Sequence, residues 1–113
     1  MLLTRRFEFD ASHQLSESFG KCRNLHGHRY TLEVTVQGEV KEGMVMDIAK
    51  LKKIANKYVV DKLDHRHIND FMELPTVENI GIWIWNQLKS KIDRLYEVKL
   101  YETPNNYVTY RGE

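Results

Sequence analysis

The 113 residues contain a single cysteine, Cys22. One thiol excludes an internal disulfide, fits a reducing compartment, and leaves the sulfur available for a metal or for catalysis. Charge of one sign is also lacking. The net charge is +1 and no long run of Lys or Arg occurs, so the clustered positive charge that nucleic acid requires is missing and no nucleic-acid partner is expected. Long apolar runs are absent too. The longest, around Ile82-Trp83-Ile84-Trp85, falls far short of a membrane span. The segment Met1-Leu2-Leu3-Thr4-Arg5-Arg6 has no apolar core of signal-peptide length. Repeats and linkers are likewise missing. With 42% hydrophobic and 29% charged residues, the chain has the composition of one soluble domain with a modest core, and a cytoplasmic location is the expectation.

What is present is pattern. In residues 3–13, Leu3, Phe7, Phe9, Ala11 and His13 alternate with Arg6, Glu8, Asp10 and Ser12, which predicts a half-buried strand in which Arg5 is the exception on the apolar side. Residues 14–25 are polar and predict a loop carrying Cys22. Residues 26–37 alternate again, with Tyr30, Leu32, Val34 and Val36 inward and His26 and His28 in phase with them. A turn at Gly38–Gly43 precedes a helix capped by Asp47 and running to about Leu63, its apolar positions being Ile48, Leu51, Ala55, Tyr58 and Val59. Thr76 is the predicted cap of a second helix with Val77, Ile80, Ile84, Leu88 and Ile92 on one stripe. Alternation from Val98 to Thr103, a turn at Pro104-Asn105-Asn106 and a closing strand from Tyr107 to Arg111 complete the chain. The expectation is an α+β domain: a four-stranded, mainly antiparallel sheet with both helices on one face, in the order ββααββ. Its open edges point to oligomerisation.

The chemistry concentrates in Cys22-Arg23-Asn24-Leu25-His26-Gly27-His28. Residues i and i+2 of an extended chain share a face, so His26 and His28 can grip one ion together. Pairing of the two strands across the loop would bring His13 to the same end. Three imidazoles on neighbouring strands suit tetrahedral zinc with one open position. Cys22 is open to three readings: a fourth ligand of a closed structural site, an inert buried thiol, or a reactive base or nucleophile beside zinc. Glu102 falls on an inward face, where a carboxylate is costly without a partner. It is either an edge residue that reaches water or an internal salt bridge with Arg or Lys, or else an anchor for a ligand's paired N–H groups. In Asp64-His65 a carboxylate stands beside an imidazole it can orient, although a solvated loop is the default for a bare dipeptide. His67 makes a second H-x-H pair with His65, in a loop that is a poor preformed metal site.

Taken together, Phe9-Asp10-Ala11-Ser12-His13, Cys22 through His28, Gly43-Met44-Val45-Met46-Asp47, Leu63-Asp64-His65, Pro75-Thr76-Val77-Glu78-Asn79 and Leu100-Tyr101-Glu102-Thr103 resemble the family of 6-pyruvoyltetrahydropterin and 6-carboxytetrahydropterin synthases. The resemblance covers nearly the whole chain. It implies the tunnelling fold, in which sheets of several subunits join into a barrel, trimers pair into hexamers, and active sites lie at subunit interfaces. It implies zinc on His13, His26 and His28, with Cys22 as the proton-abstracting base. Asp64 and His65 would complete the acid–base relay, working with Cys22 of a neighbouring chain. Glu102 would anchor the pterin ring, and Thr76 would contact it. The implied substrate is 7,8-dihydroneopterin triphosphate, which loses triphosphate. The three-residue spacing between Cys22 and the H-G-H triplet resembles the branch that also releases acetaldehyde to give 6-carboxy-5,6,7,8-tetrahydropterin, a queuosine and deazapurine precursor. The pyruvoyl branch has a longer spacing, and an aldolase-like branch carries glutamate in place of Cys22. Lys21, Arg23 and Arg29 are the candidates for gripping the triphosphate. The competing class is a non-enzymatic, zinc-stabilised domain binding a purine or pterin, with Cys22 as a fourth ligand.

Overall fold

Two strands of twelve residues each, β1 (Leu2–His13) and β2 (His26–Gln37), form the spine of the molecule. The computed structural model describes residues 1–15 and 25–113, His26 by its backbone alone. The strands pair antiparallel from Leu2↔Gln37 to His13↔His26. Period-two alternation accounts for this register, because a slip of one residue would move Phe7, Phe9, Tyr30, Leu32 and Val34 from the core to the other face. All five are buried. The predicted loop between the strands, with Cys22 in it, lies outside the described residues apart from positions 14, 15 and 25.

The sheet continues through β4 (Leu95–Thr103) and β5 (Asn106–Tyr110), both antiparallel to their neighbours. Among the described residues it has five strands where the pattern leads one to expect four. The addition is β3 (Arg66–His67), which pairs parallel to β1 at Ala11↔Arg66 and Ser12↔His67, giving the order β3-β1-β2-β4-β5. Two residues carry no periodicity, so only the backbone pairing reveals this strand. Within the described residues the outer edge of β1 is covered at that end alone, and β5 is the other edge.

The first helix starts at Asp47, whose carboxylate accepts from the Ala49 N–H. It runs as α1 (Ile48–Ala55), a π turn (Asn56–Val60) and α2 (Asp61–Leu63). Leu51, Ala55, Val59 and Leu63 are all fully buried, a repeat of four. A straight α-helix would rotate such a repeat off its face by about 40° per step. The wider π turn takes up that drift and keeps the four side chains on the core. Ile48, expected on this stripe, is instead exposed at the helix entrance. Helix α3 (Val77–Lys89) is capped by Thr76, whose hydroxyl accepts from Asn79 N–H. Its Ile80, Ile84 and Leu88 are fully buried, and Gly81 lies close to Val108 of β5. Among the described residues, no helix is long and apolar enough to cross a membrane.

Candidate functional site

The antiparallel register sets His13 opposite His26 and Ala11 opposite His28, so the imidazoles of His13 and His28 come from adjacent strands on the core face. Their rings stand edge-on, 5.1 Å apart and 85° to one another. His13 is buried and its Nδ1 lies 2.8 Å from the Pro75 carbonyl. A carbonyl only accepts, so Nδ1 carries the proton and Nε2 presents its lone pair to the site, the arrangement that prepares a histidine for a metal. Glu102 of β4 reaches the same point, its Oε1 3.1 Å from His28 Nε2 and 3.8 Å from His13 Nε2. Ligand atoms of His13, His28 and Glu102 all lie within 4.8 Å of one another. Two imidazole nitrogens and a carboxylate oxygen at this separation suit a divalent transition metal. Glu102 therefore faces the imidazole pair, where it can either ligate a metal or receive a ligand held beside one.

Tyr30 forms the floor. It stacks on Phe9 at 5.2 Å and stands edge-on to both His28 and His13. Its hydroxyl is buried with no hydrogen-bond partner among the described residues, and burial, reinforced by the charge of Glu102, pushes its ionisation up. An unpartnered buried hydroxyl costs roughly 1–3 kcal/mol. Tyr30→Phe is thus expected to raise unfolding stability by about 1 kcal/mol in urea titrations of the metal-free protein. A loss of stability would show that the hydroxyl has a partner.

On the other side of β1 the Asp64-His65 pair is built onto the strand edge. Asp10 N–H donates to Asp64 Oδ1 at 3.0 Å, His65 N–H donates to the Asp10 carbonyl at 2.6 Å, and His65 Nδ1 lies 3.1 Å from Asp64 Oδ1. His65 takes a left-handed backbone, φ 58°, which turns the chain from α2 into β3. With Nδ1–H donated to Asp64, Nε2 is the atom left to exchange protons. The Asp10 amide, then the hydrogen bond and charge of His65, hold the Asp64 carboxyl below the ordinary aspartate range against partial desolvation. Because this pKa is lowered by folding, the stability it contributes is present above the unfolded aspartate value and is lost as pH falls through the folded one. A carbon-detected NMR titration is expected to place the Asp64 midpoint below that of an ordinary aspartate; a midpoint at or above it would contradict the bonding.

An open cleft of about 600 Å³ connects the two halves, lined among others by Ser12, His28, His65, Arg66 and His67. His67 is part of it through a contact of 3.1 Å between its Nδ1 and Ser12 Oγ. Thr76 caps α3 next to Pro75. Cys22 lies outside the described residues, as does the side chain of His26. Asp10, Ser12 and Pro75 are not singled out by residue type, because each acts through a backbone group or through a neighbour; their common signal is sequence proximity to His13 and Thr76.

The family model for 6-pyruvoyl tetrahydropterin synthase matches residues 2–113. The chain belongs to the 6-pyruvoyl tetrahydropterin synthase family. Within it, the chain is 48% identical to a Dictyostelium discoideum protein named 6-pyruvoyl tetrahydrobiopterin synthase, over 100% of this chain and 97% of that one. That alignment runs over 131 positions, more than the 113 residues here, so the relative carries segments this chain lacks. A protein of Archaeoglobus fulgidus with the provisional name 6-carboxy-5,6,7,8-tetrahydropterin synthase is 38% identical over 112 positions, 98% of this chain and 96% of that one. The solved structure of Caenorhabditis elegans 6-pyruvoyl tetrahydropterin synthase superposes with a TM-score of 0.93 at 38% identity, covering 100% of this chain and 96% of that chain. The α+β fold and the lyase family expected from the motifs are both borne out. The expected assignment to the carboxy branch is not: these relatives favour the pyruvoyl name at least as strongly.

Proposed function

We propose that the protein is a zinc-dependent lyase that eliminates triphosphate from 7,8-dihydroneopterin triphosphate to give 6-pyruvoyl tetrahydropterin. The observation that carries this reading is the convergence of His13, His28 and Glu102, beside a cleft shared by His28 and His65, in a member of this family. His13, His26 and His28 would hold the metal. Bound there, zinc supplies Lewis-acid polarisation of the substrate's side-chain oxygens. Cys22 is the proposed base that removes a side-chain proton. His65, oriented through Nδ1 by Asp64, delivers or shuttles a proton at Nε2. Glu102 accepts hydrogen bonds from the pterin's paired N–H groups, and Thr76 contacts the ring from the start of α3. The hydrogens move within the substrate, so no redox cofactor is needed.

The second reading is the carboxy branch, in which acetaldehyde also departs and the product enters queuosine precursor synthesis. The three-residue spacing between Cys22 and His26 and the near gap-free alignment with the Archaeoglobus protein favour it. Both readings share an assembly of trimers, or trimers paired into hexamers, in which Cys22 works with Asp64 and His65 of a neighbouring chain. Among the described residues, the open edge at β5 and the largely uncovered edge of β1 support edge-to-edge assembly.

The deciding experiment incubates zinc-loaded protein with 7,8-dihydroneopterin triphosphate and identifies the products by mass spectrometry. 6-Pyruvoyl tetrahydropterin and triphosphate are expected. 6-Carboxytetrahydropterin with acetaldehyde would select the second reading. No turnover by zinc-loaded oligomer would overturn both and favour a pterin-binding domain.

A further inference from the structure

The proposed substrate carries a triphosphate, for which the imidazole cradle and the proton relay supply no partner, and a subsite for that chain rests on the proposed reaction. Of the candidate cations, Lys21 and Arg23 lie outside the described residues. Arg29 is already neutralised, its Nε 2.9 Å from Glu8 Oε2 and its Nη1 3.6 Å from Asp10 Oδ2. Arg66 differs. It is exposed, lines the cleft that also contains His28 and His65, and is absent from every ion pair within 4.0 Å among the described residues.

The acid that lines the cleft, Asp10, faces Arg29, and the nearby Asp64 accepts from Asp10 N–H and contacts His65, so the charge of Arg66 is left for a ligand. Its position is also set by the fold, since Arg66 pairs with Ala11 across the β3–β1 junction. It therefore stands beside the proton-carrying His65 at a fixed place relative to the imidazole pair. A guanidinium is permanently charged and its planar fork matches phosphate oxygens two at a time. The neighbouring His67 adds a second group: when Ser12 donates to Nδ1, Nε2 carries the proton and is a donor.

We propose that Arg66 grips the phosphate chain, with His67 assisting, and that Arg29 has no part in it. The cleft is then a polyphosphate subsite that places the leaving group next to His65.

Inorganic tripolyphosphate titrated calorimetrically into the full chain tests the subsite without turnover. Arg66→Ala is expected to weaken its binding about 10- to 100-fold, the worth of one or two charge-assisted hydrogen bonds. Arg66→Lys should recover part of the loss, and Arg29→Ala should bind as the wild type does. In assays with dihydroneopterin triphosphate, Arg66→Ala should raise KM while leaving kcat nearly unchanged. Arg66-dependent tripolyphosphate binding in a protein that fails to turn over the pterin would uphold the subsite and overturn only the proposed reaction. Tripolyphosphate binding that is absent, indifferent to Arg66, or lost on Arg29→Ala would overturn the subsite even where turnover is intact.

Discussion

The His13→Ala protein is expected to lose bound zinc and turnover together. His13 is 1% exposed, its Nδ1–H is committed to the Pro75 carbonyl, and its Nε2 faces the shared centre with His28 and Glu102. Partners that merely orient a metal ligand are worth about 10- to 100-fold in affinity, so removing a ligand itself should cost about 100-fold or more. The truncation also strands the buried Pro75 carbonyl, at roughly 1–3 kcal/mol, so stability should fall as well. Metal content by atomic emission, measured on the folded fraction, separates the two effects. Cys22→Ala, prepared alongside, should keep its zinc and lose only activity. Full zinc in folded His13→Ala would remove His13 from the ligand set, and zinc-free Cys22→Ala would favour a closed structural site.

His65→Asn should reduce kcat about 100- to 10,000-fold, the usual contribution of a positioned general acid–base group, with KM changed only a few-fold. The side chain is 78% exposed, so little packing is lost. Asparagine is among the residues that most readily adopt the left-handed backbone found at this position. Urea midpoints for the two proteins should therefore agree, which isolates the chemistry from the fold. A variant with wild-type kcat and an unchanged midpoint would exclude His65 from the proton relay.

Much of this architecture is legible in the chain because burial leaves a periodic trace. Alternation alone places Phe7, Phe9, Ala11 and His13 on one face, and with them sets the phase of His26 and His28. Asp47 and Thr76 announce helix starts through a capping oxygen that needs no tertiary partner. What stays hidden depends on contacts distant in sequence or on backbone groups alone. The two residues of β3 are too few to show a period. The left-handed turn at His65 is held by its N–H reaching the Asp10 carbonyl, a group on another element that neither pattern nor propensity connects to it. The commitment of His13 Nδ1 to Pro75 spans 62 residues and involves only a carbonyl that every residue type possesses. The repeat of four at Leu51, Ala55, Val59 and Leu63 is visible, yet its consequence, a π turn, emerges only when the sheet demands that all four point the same way.

The register of β1 against β2 has an evolutionary corollary. His13 and His26 are held opposite each other by the pairing of every residue from Leu2 to Ser12 with its partner from Gly27 to Gln37, and the alignment needs nothing from the segment that joins them. Inserting or deleting residues between positions 13 and 26 lengthens or shortens a tether whose two ends are already anchored. The entropic cost of such changes grows only as the logarithm of the tether's length. The length and composition of that segment can thus change while the pairing that sets His13 opposite His26 stays as it is.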